Sequence, residues 1–335
     1  MMRHTMARKA LAGAALSAMA LTACGSDTSE SEASGDLTRV SMSTLPIPSL
    51  GYFLPPVIKA EGLDEAAGLD VTFEQKPAGT ARTDFASGND KVAGSGTLLA
   101  DVALVNQEGV DTVYVFNIFD FWGAVVTPED SEISSLSDLD GADVGAALPT
   151  ANFAMFAGAL KAEGVEQEDL NLQNADTPGL GPLAQSGRVD AVQLWEPAYS
   201  ILTSQEDANF RTLDIATAWR ETTGAESLPY LGVAAHRDWL EGNPETIQAV
   251  YDMYKSAGEF VAENPEQAAQ IISEESGIDA AVLEDLIQSD RLALNIAPAD
   301  QDRESTEILL KQAVEIGYLE SIPDLDKVLY QGLED

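Results

Sequence analysis

The sequence predicts an α/β fold, and two features carry that prediction. Short apolar or β-branched runs alternate with helical stretches from Leu37 to Ala235, in two successive sets. Such alternation belongs to sheets covered by helices, not to an all-β protein or a helical bundle. After Asn243 the strand signals give way to a run of helices.

Leu37 to Met42 reads as the first strand. Gly51 to Glu61 follows as a helix whose regular part begins after Pro55 and Pro56, which lack the N–H that an interior turn needs. Leu69 to Gln75 alternates as a strand, and Thr80 to Ser87 as a short helix with Thr80 as its N-cap. Val92-Ala93 is a short strand and Thr97 to Gln107 a helix. Thr112 to Phe116, β-branched and aromatic, is a strand. Trp122 to Thr127 is another, stopped by Pro128.

The second set starts after the acidic loop Glu129 to Asp140, with a strand at Ala142 to Ala146 and a helix at Asn152 to Glu163. Asn171 to Gln173 lies in a strand and Pro182 to Ser186 in a helix. Then comes the most informative stretch, Ser186 to Tyr199. A tight turn at Gly187 leads into the apolar run Ala191 to Leu194, as expected of a strand covered on both faces. Pro197 suits the first turn of the next helix. Trp195 and Glu196 therefore fall at the carboxyl end of a strand, where open α/β sheets bind ligands. Arg211 to Ile215 and Tyr230 to Ala235 are further strands. Helices follow at Glu245 to Glu263, Glu266 to Glu275, Ala280 to Ser289 and Arg303 to Ile316. Ser87 to Ala93 echoes Ser186 to Val192, each ending a helix and starting a strand. Two domains of similar plan would produce that echo, and so would chance.

The first residues have a different character. Arg3, Arg8 and Lys9 precede the apolar run Ala10 to Ala20, too short for a bilayer and built like a secretory signal. Leu21-Thr22-Ala23-Cys24 resembles a bacterial lipobox, which implies cleavage before Cys24 and a lipid on its sulfur. The other reading is an ordinary signal peptide with a chance cysteine. Residues 25–36 carry no large apolar side chain and read as a tether.

Cys24 is the single cysteine of the 335 residues, so internal disulfides, cysteine metal sites and thiol catalysis are excluded for the mature chain. His4 leaves with the leader. His236 is then the one histidine, following a predicted strand, and no Gly-x-Ser-x-Gly elbow accompanies it. It reads as a structural or surface histidine. The net charge is -38, and loss of Arg3, Arg8 and Lys9 makes it -41. That field repels nucleic acid. It suits a high-salt surrounding, where self-repulsion is screened, and equally an ordinary acidic secreted protein.

Several stretches, in order, resemble a known family. They are Lys59 to Leu63 with Gly68 to Val71, Ser87 to Asp90 with Gly94-Ser95-Gly96, and Ser135 to Gly141. Gly187 to Ala191 with Trp195-Glu196-Pro197, and Asn243-Pro244-Glu245, complete the set. No one of them is specific; the ordered series is. The chain resembles the solute-binding proteins of ABC importers, in the branch handling nitrate, taurine, aliphatic sulfonates and thiamine-pyrimidine precursors. The resemblance implies a two-lobe type II periplasmic-binding-protein fold, with two α/β domains joined by two crossover strands and a helical C-terminal tail. Domain 1 would comprise residues 37–121 and 232–335, and domain 2 the insert 122–231. A small organic solute or oxyanion would bind between the lobes, and hinge closure would present a new surface to the permease. The expected protein is a monomer lipid-anchored through Cys24 on the outer face of the cell membrane, without cofactor or metal.

The cleft expected from this plan is built from strand ends and helix starts. The first lobe offers Thr44, Leu45, Pro46 and Tyr52; Thr80, Ala81 and Arg82; and Ser95, Gly96 and Thr97, read as the start of a helix. The second offers Thr150, Asn152, Trp195 and Glu196, with Tyr230 near the returning crossover. Helix N-termini with free N–H groups seat anions, and Arg82 would partner a sulfonate or carboxylate. Each of these side chains could equally be a plain cap, a surface charge or core. Phe119, Phe121, Trp122, Phe153 and Phe156 would suit a flat aromatic ligand, or pack as core. Two rivals stand beside transport. One is a sensing or adhesive lipoprotein. The other is a pyrimidine synthase of the same fold family, whose histidine and cysteine-rich chemistry this chain lacks.

Overall fold

The computed structural model describes residues 37–148 and 150–334. The expected leader, the lipobox at Cys24 and the tether lie outside the described residues.

The first set of strands is β1 (Thr38–Thr44), β2 (Leu69–Gln75), β3 (Val92–Leu98) and β4 (Thr112–Asp120). The second is β5 (Gly123–Pro128), β6 (Asp143–Ala146), β7 (Asn171–Asn174), β8 (Ala191–Trp195) and β9 (Phe210–Asp214), and the chain closes with β10 (Pro229–His236) and β11 (Leu294–Pro298). They form a six-stranded sheet in the order β11-β4-β10-β3-β1-β2 and a five-stranded sheet in the order β7-β6-β8-β5-β9. β1 runs parallel to β2 and β3, while β10 is antiparallel to both β3 and β4. In the second sheet β6 is parallel to β7 and β8, and β5 is antiparallel to β8 and β9. The chain crosses between the sheets twice, from β4 into β5 and from β9 through a helix back into β10. This is the expected two-lobe α/β architecture with a helical C-terminal region.

All nine residues of β4 and all eight of β10 are buried, as a strand with neighbours on both edges and layers on both faces must be. Gly232 lets them approach: a Cβ there would collide with the Phe116 carbonyl and with the Tyr114 phenol. The helix Pro244–Glu263 closes one face, burying Ile247, Val250, Tyr251, Tyr254 and Val261 on one stripe.

Several elements differ from the sequence expectation. Helix Ala78–Ser87 starts before Thr80, with Pro77 as N-cap, so Thr80 is an exposed first-turn residue and caps nothing. Pro77 holds φ at -53° just outside the first helical residue, and no side chain caps this helix. Ser95, Gly96 and Thr97 belong to β3, and the next helix is Leu99–Gln107. Cross-sheet pairing of Thr97 with Gly232 and Leu98 with Leu231 holds them extended. β4 runs on to Asp120 because β10 and β11 flank it. β11 itself was not expected, and neither was the helix Ile215–Thr223. That helix carries readable signals: Asp214 caps it, accepting from Thr217 N at 2.9 Å, and Gly224 ends it at φ 73°.

Candidate functional site

The carboxyl ends of β1 and β3 face a pocket between the helices Ala78–Ser87 and Leu99–Gln107. Ser43, Thr44 and Leu45 line it from β1 and the turn beyond; Ala93, Gly96, Thr97 and Leu98 from β3. The helices add Ala78, Ala81, Arg82 and Phe85 on one side, and Asp101, Val102 and Val105 on the other. The Gly94-Ser95-Gly96 run is a packing device here. A Cβ on Gly94 would stand 2.6 Å from the Ser43 carbonyl oxygen, and one on Gly96 would stand 2.8 Å from Leu45 N. Only glycine lets the end of β1 lie against β3 and form that wall.

The polar groups of the pocket are few. Thr44 is 1% exposed, and among the described residues its Oγ1 has no hydrogen-bond partner. Buried hydroxyls without partners are uncommon in folded proteins, because the desolvation is not repaid. The Thr97 hydroxyl donates to the Gly94 carbonyl at 3.0 Å. Arg82 Nη1 stands 4.0 Å from Asp101 Oδ1, with the arginine half exposed. Asp101 also accepts the Tyr318 hydroxyl at 2.5 Å. Burial pushes the Asp101 carboxyl above its usual range, against the Tyr318 hydrogen bond and the Arg82 charge.

A second, apolar pocket adjoins the first through Leu98, which lines both. It draws Leu99 and Ala100 from the first-sheet side, and Ala151, Ala154 and Met155 from the helix Ala151–Ala162. Trp219, Pro229, Tyr230, Leu309, Gln312 and Ala313 complete it. Tyr230 donates its hydroxyl to Asn152 Oδ1, tying β10 to that helix of the second set. The Asn152 carbonyl in turn accepts from Gln193 Nε2 at 2.6 Å.

Of the residues expected in a cleft, Thr44, Leu45, Ala81, Arg82, Gly96 and Thr97 come together around the first pocket. Tyr230 lines the second, with Asn152 bonded to it. Pro46 and Thr80 are exposed and Tyr52 half-buried, and none of the three lines either pocket. Ser95 is buried and donates to the Gly51 carbonyl at 2.5 Å. Thr150 caps its helix, accepting from Phe153 N at 3.1 Å. Trp195 is half-buried against the small core of the second sheet. Glu196 is buried and ion-paired with Arg291. Phe119, Phe121 and Phe156 are fully buried core.

Sequence reasoning missed Asp101, Tyr318 and the apolar lining Phe85, Val102 and Val105. Attention to helix caps passed over Asp101, a first-turn acid in the helix after β3. Tyr318 comes from more than two hundred residues away, and nothing local announces it.

The family profile described as "NMT1/THI5 like" matches residues 57–268. No curated protein matches the chain. Among solved structures, the chain is similar to the periplasmic aliphatic sulphonate binding protein SsuA from Escherichia coli, with a TM-score of 0.72 and 19% identity over 90% of this chain and 94% of that one. It is also similar to the alkanesulfonate-binding protein SsuA from Xanthomonas axonopodis pv. citri bound to MOPS, with a TM-score of 0.67 and 17% identity over 88% and 96%. The desulfurization enzyme DSZB shares the fold too, with a TM-score of 0.60 and 14% identity over 87% and 95%. At such identities the likeness establishes the architecture.

Proposed function

The chain belongs to the NMT1/THI5-like family, and on that premise we propose that it is the substrate-binding component of an ABC importer. It would take a small organic solute or oxyanion at the first pocket and deliver it to a permease. The observation that carries this reading is the buried Thr44 hydroxyl without a partner, in a residue that lines, as Arg82 does, a concave wall at strand carboxyl ends. The sulfonate-binding structures of the same fold support a sulfonate as the first compound to try.

The location belongs to the same proposal: export by the leader, lipid on Cys24, and a monomer on the outer face of the cell membrane. Among the described residues no helix is long and apolar enough to cross a membrane, so attachment would rest on the lipid. Replacing Cys24 with Ala should release the protein from the membrane fraction.

One observation favours a second reading, as an enzyme: DSZB has this fold. A cysteine-to-serine variant of that enzyme is described in complex with biphenyl-2-sulfinic acid. This chain has its one cysteine at position 24, before the first strand, and no cysteine stands among the described residues that line the pocket. Binding without turnover is therefore preferred.

A thermal-shift screen of the protein against sulfonates, nitrate, pyrimidines and aromatic acids, at low and high salt, tests the binding role. A ligand at one hundred times its dissociation constant should stabilise the fold by about 2.7 kcal/mol. If nothing in these classes moves the melting temperature, the importer reading fails.

A further inference from the structure

The two lobes meet at seams of opposite character. One is apolar: Leu98 and Leu309, from the side of the six-stranded sheet, line a small cavity together with Ala154 and Met155 of the helix Ala151–Ala162. Tyr230, bonded to Asn152, completes it. The other seam is an open groove. Ser200 and Thr203 of the helix Ala198–Thr203 form one bank, and Val282 and Asp285 of the helix Ala280–Gln288 the other. Arg291 bridges these banks. Its Nε donates to Glu196 Oε1 at 3.0 Å, beyond the end of β8, and its Nη2 to Asp285 Oδ2 at 2.7 Å.

Each member of the Arg291–Glu196 pair also has a second bond close by in its own stretch of chain. Arg291 would keep Asp285, six residues away, if the lobes parted. Glu196 would keep the N–H and the hydroxyl of Ser200, four residues on, at 3.1 and 2.9 Å. Rigid-body separation disturbs neither contact. Asp285 is 74% exposed and lines the open groove, so water can take the places that are vacated. Parting the lobes therefore leaves no bare buried charge, whereas removing Arg291 by substitution does. What separation gives up is one charge-assisted hydrogen bond and the seat of the guanidinium over the Tyr199 ring. A loss of that size keeps a second arrangement within reach.

We infer that Arg291 is a releasable latch between the lobes, holding them together through Glu196 and Tyr199 and falling back on Asp285 when they part. The inference concerns lobe motion and goes beyond the ligand-binding reading, since it holds whatever solute the protein takes.

Spin labels test it without a ligand. Glu163→Cys, exposed after the helix Ala151–Ala162, and Glu259→Cys, exposed on the helix Pro244–Glu263, place one label on each lobe of the full-length Cys24→Ala protein. Electron–electron double resonance then reads the fraction of molecules at a displaced distance. Glu196→Gln, which leaves a neutral acceptor, should raise that fraction at least about tenfold over the parent, the scale of one hydrogen bond to a charged group. Arg291→Ala should raise it as much. Adding Asp285→Asn to Glu196→Gln should lower the fraction about two- to fivefold, the worth of an exposed ion pair, because Arg291 then has no partner to fall back on. Adding it to Arg291→Ala should change nothing. A single unshifted distance in either variant, or the same response to Asp285→Asn in both backgrounds, overturns the latch and leaves the ligand-binding reading intact. Displaced distances as expected, with no solute moving the melting temperature, would overturn that reading alone.

Discussion

Glu196, at the end of β8, and Arg291, from the segment that leads into β11, join the two sheets through a hydrogen-bonded ion pair. Arg291 Nε donates to Glu196 Oε1 at 3.0 Å, and the Glu196 side chain is wholly buried. Ser200 supplies two more donors to the same carboxylate, its N–H at 3.1 Å and its hydroxyl at 2.9 Å. Arg291 also lies over the Tyr199 ring, 5.7 Å from its centroid, and reaches Asp285 at 2.7 Å. From the sequence Glu196 could meet a ligand or cap its own helix. In the fold its oxygens are occupied by this arginine and serine.

Removing Arg291 should be costly for that reason. Burial already pushes the Glu196 carboxyl above its usual range, while Ser200 and Arg291 oppose it. In Arg291→Ala the carboxylate keeps the serine and loses its counter-charge. Breaking a buried pair from one side costs 3–5 kcal/mol, and partial solvation of Arg291 places this case near about 3 kcal/mol. Adding Glu196→Gln should recover part of the loss, since no uncompensated charge remains. Urea titrations at neutral pH read both values. A double variant no more stable than Arg291→Ala would refute the account.

Asp120 should make stability depend on pH. It is buried at the end of β4, where Asn117 Nδ2 at 2.9 Å and Asn295 Nδ2 at 3.1 Å both donate to its Oδ1. Burial pushes its carboxyl up and the nearby Asp302 charge adds to this; the Asn295 hydrogen bond, a Leu228 backbone hydrogen bond and Arg220 oppose it. A carboxyl that holds its proton more tightly when folded contributes stability below the unfolded aspartate pKa, near about 4. That contribution is lost as pH rises through the folded value. Asp120→Asn should therefore gain stability relative to wild type as pH is raised from about 4 towards 7. A difference between the two proteins that stays constant across that range would exclude this role for Asp120.

Gly232 tests the close approach of β10 to β4. A methyl group there meets the Phe116 carbonyl, a backbone atom of a central strand, and the Tyr114 ring with Cζ at 2.7 Å. Tyr114 cannot swing aside freely, because its hydroxyl donates to Asn117 Oδ1 at 2.9 Å. Gly232→Ala should lose about 3 kcal/mol, the upper end of overpacking costs. Gly164→Ala has no atom within 4 Å of its added carbon, but its φ of 82° makes it a control for backbone strain alone. Equal losses in the two variants would mean that the clash with β4 is not what matters.

The α/β alternation and the apolar run Ala191 to Leu194 were legible because burial on both faces writes itself into consecutive residues. β11 was not: its Leu294–Pro298 stretch is only partly buried and gains its extended form by pairing with β4. The same limit applies at the pocket. Thr44 sits at a strand end, where topology alone places ligand groups, whereas Ala81 and Arg82 lie in the second turn of the helix Ala78–Ser87 and face the pocket from there. Asp101 and Tyr318 are informative only as a pair, and their meeting is a property of the folded tail. Glu196 shows the other of its two readings, in which a position at a strand end is used for structure.

Tyr230 and Asn152 should be energetically coupled, and the coupling measures how firmly the two sheets are held together. Tyr230 is 8% exposed, and burial raises its hydroxyl pKa, against the hydrogen bond to Asn152. Tyr230→Phe keeps the ring, which packs edge-on to Phe121 at 5.3 Å, and removes only the donor. Asn152 Oδ1 is then left buried and unpaired, which costs about 1–3 kcal/mol. Asn152→Ala removes the acceptor and leaves the phenol without a partner, while its backbone carbonyl still serves Gln193. Because each single change strands the other group, the double variant should be more stable than the sum of the two losses predicts, by about 0.5–3 kcal/mol. A double-mutant cycle by chemical denaturation reads this directly. Strict additivity would mean that water replaces the bond at no cost, and that β10 and the helix Ala151–Ala162 are held by apolar packing alone.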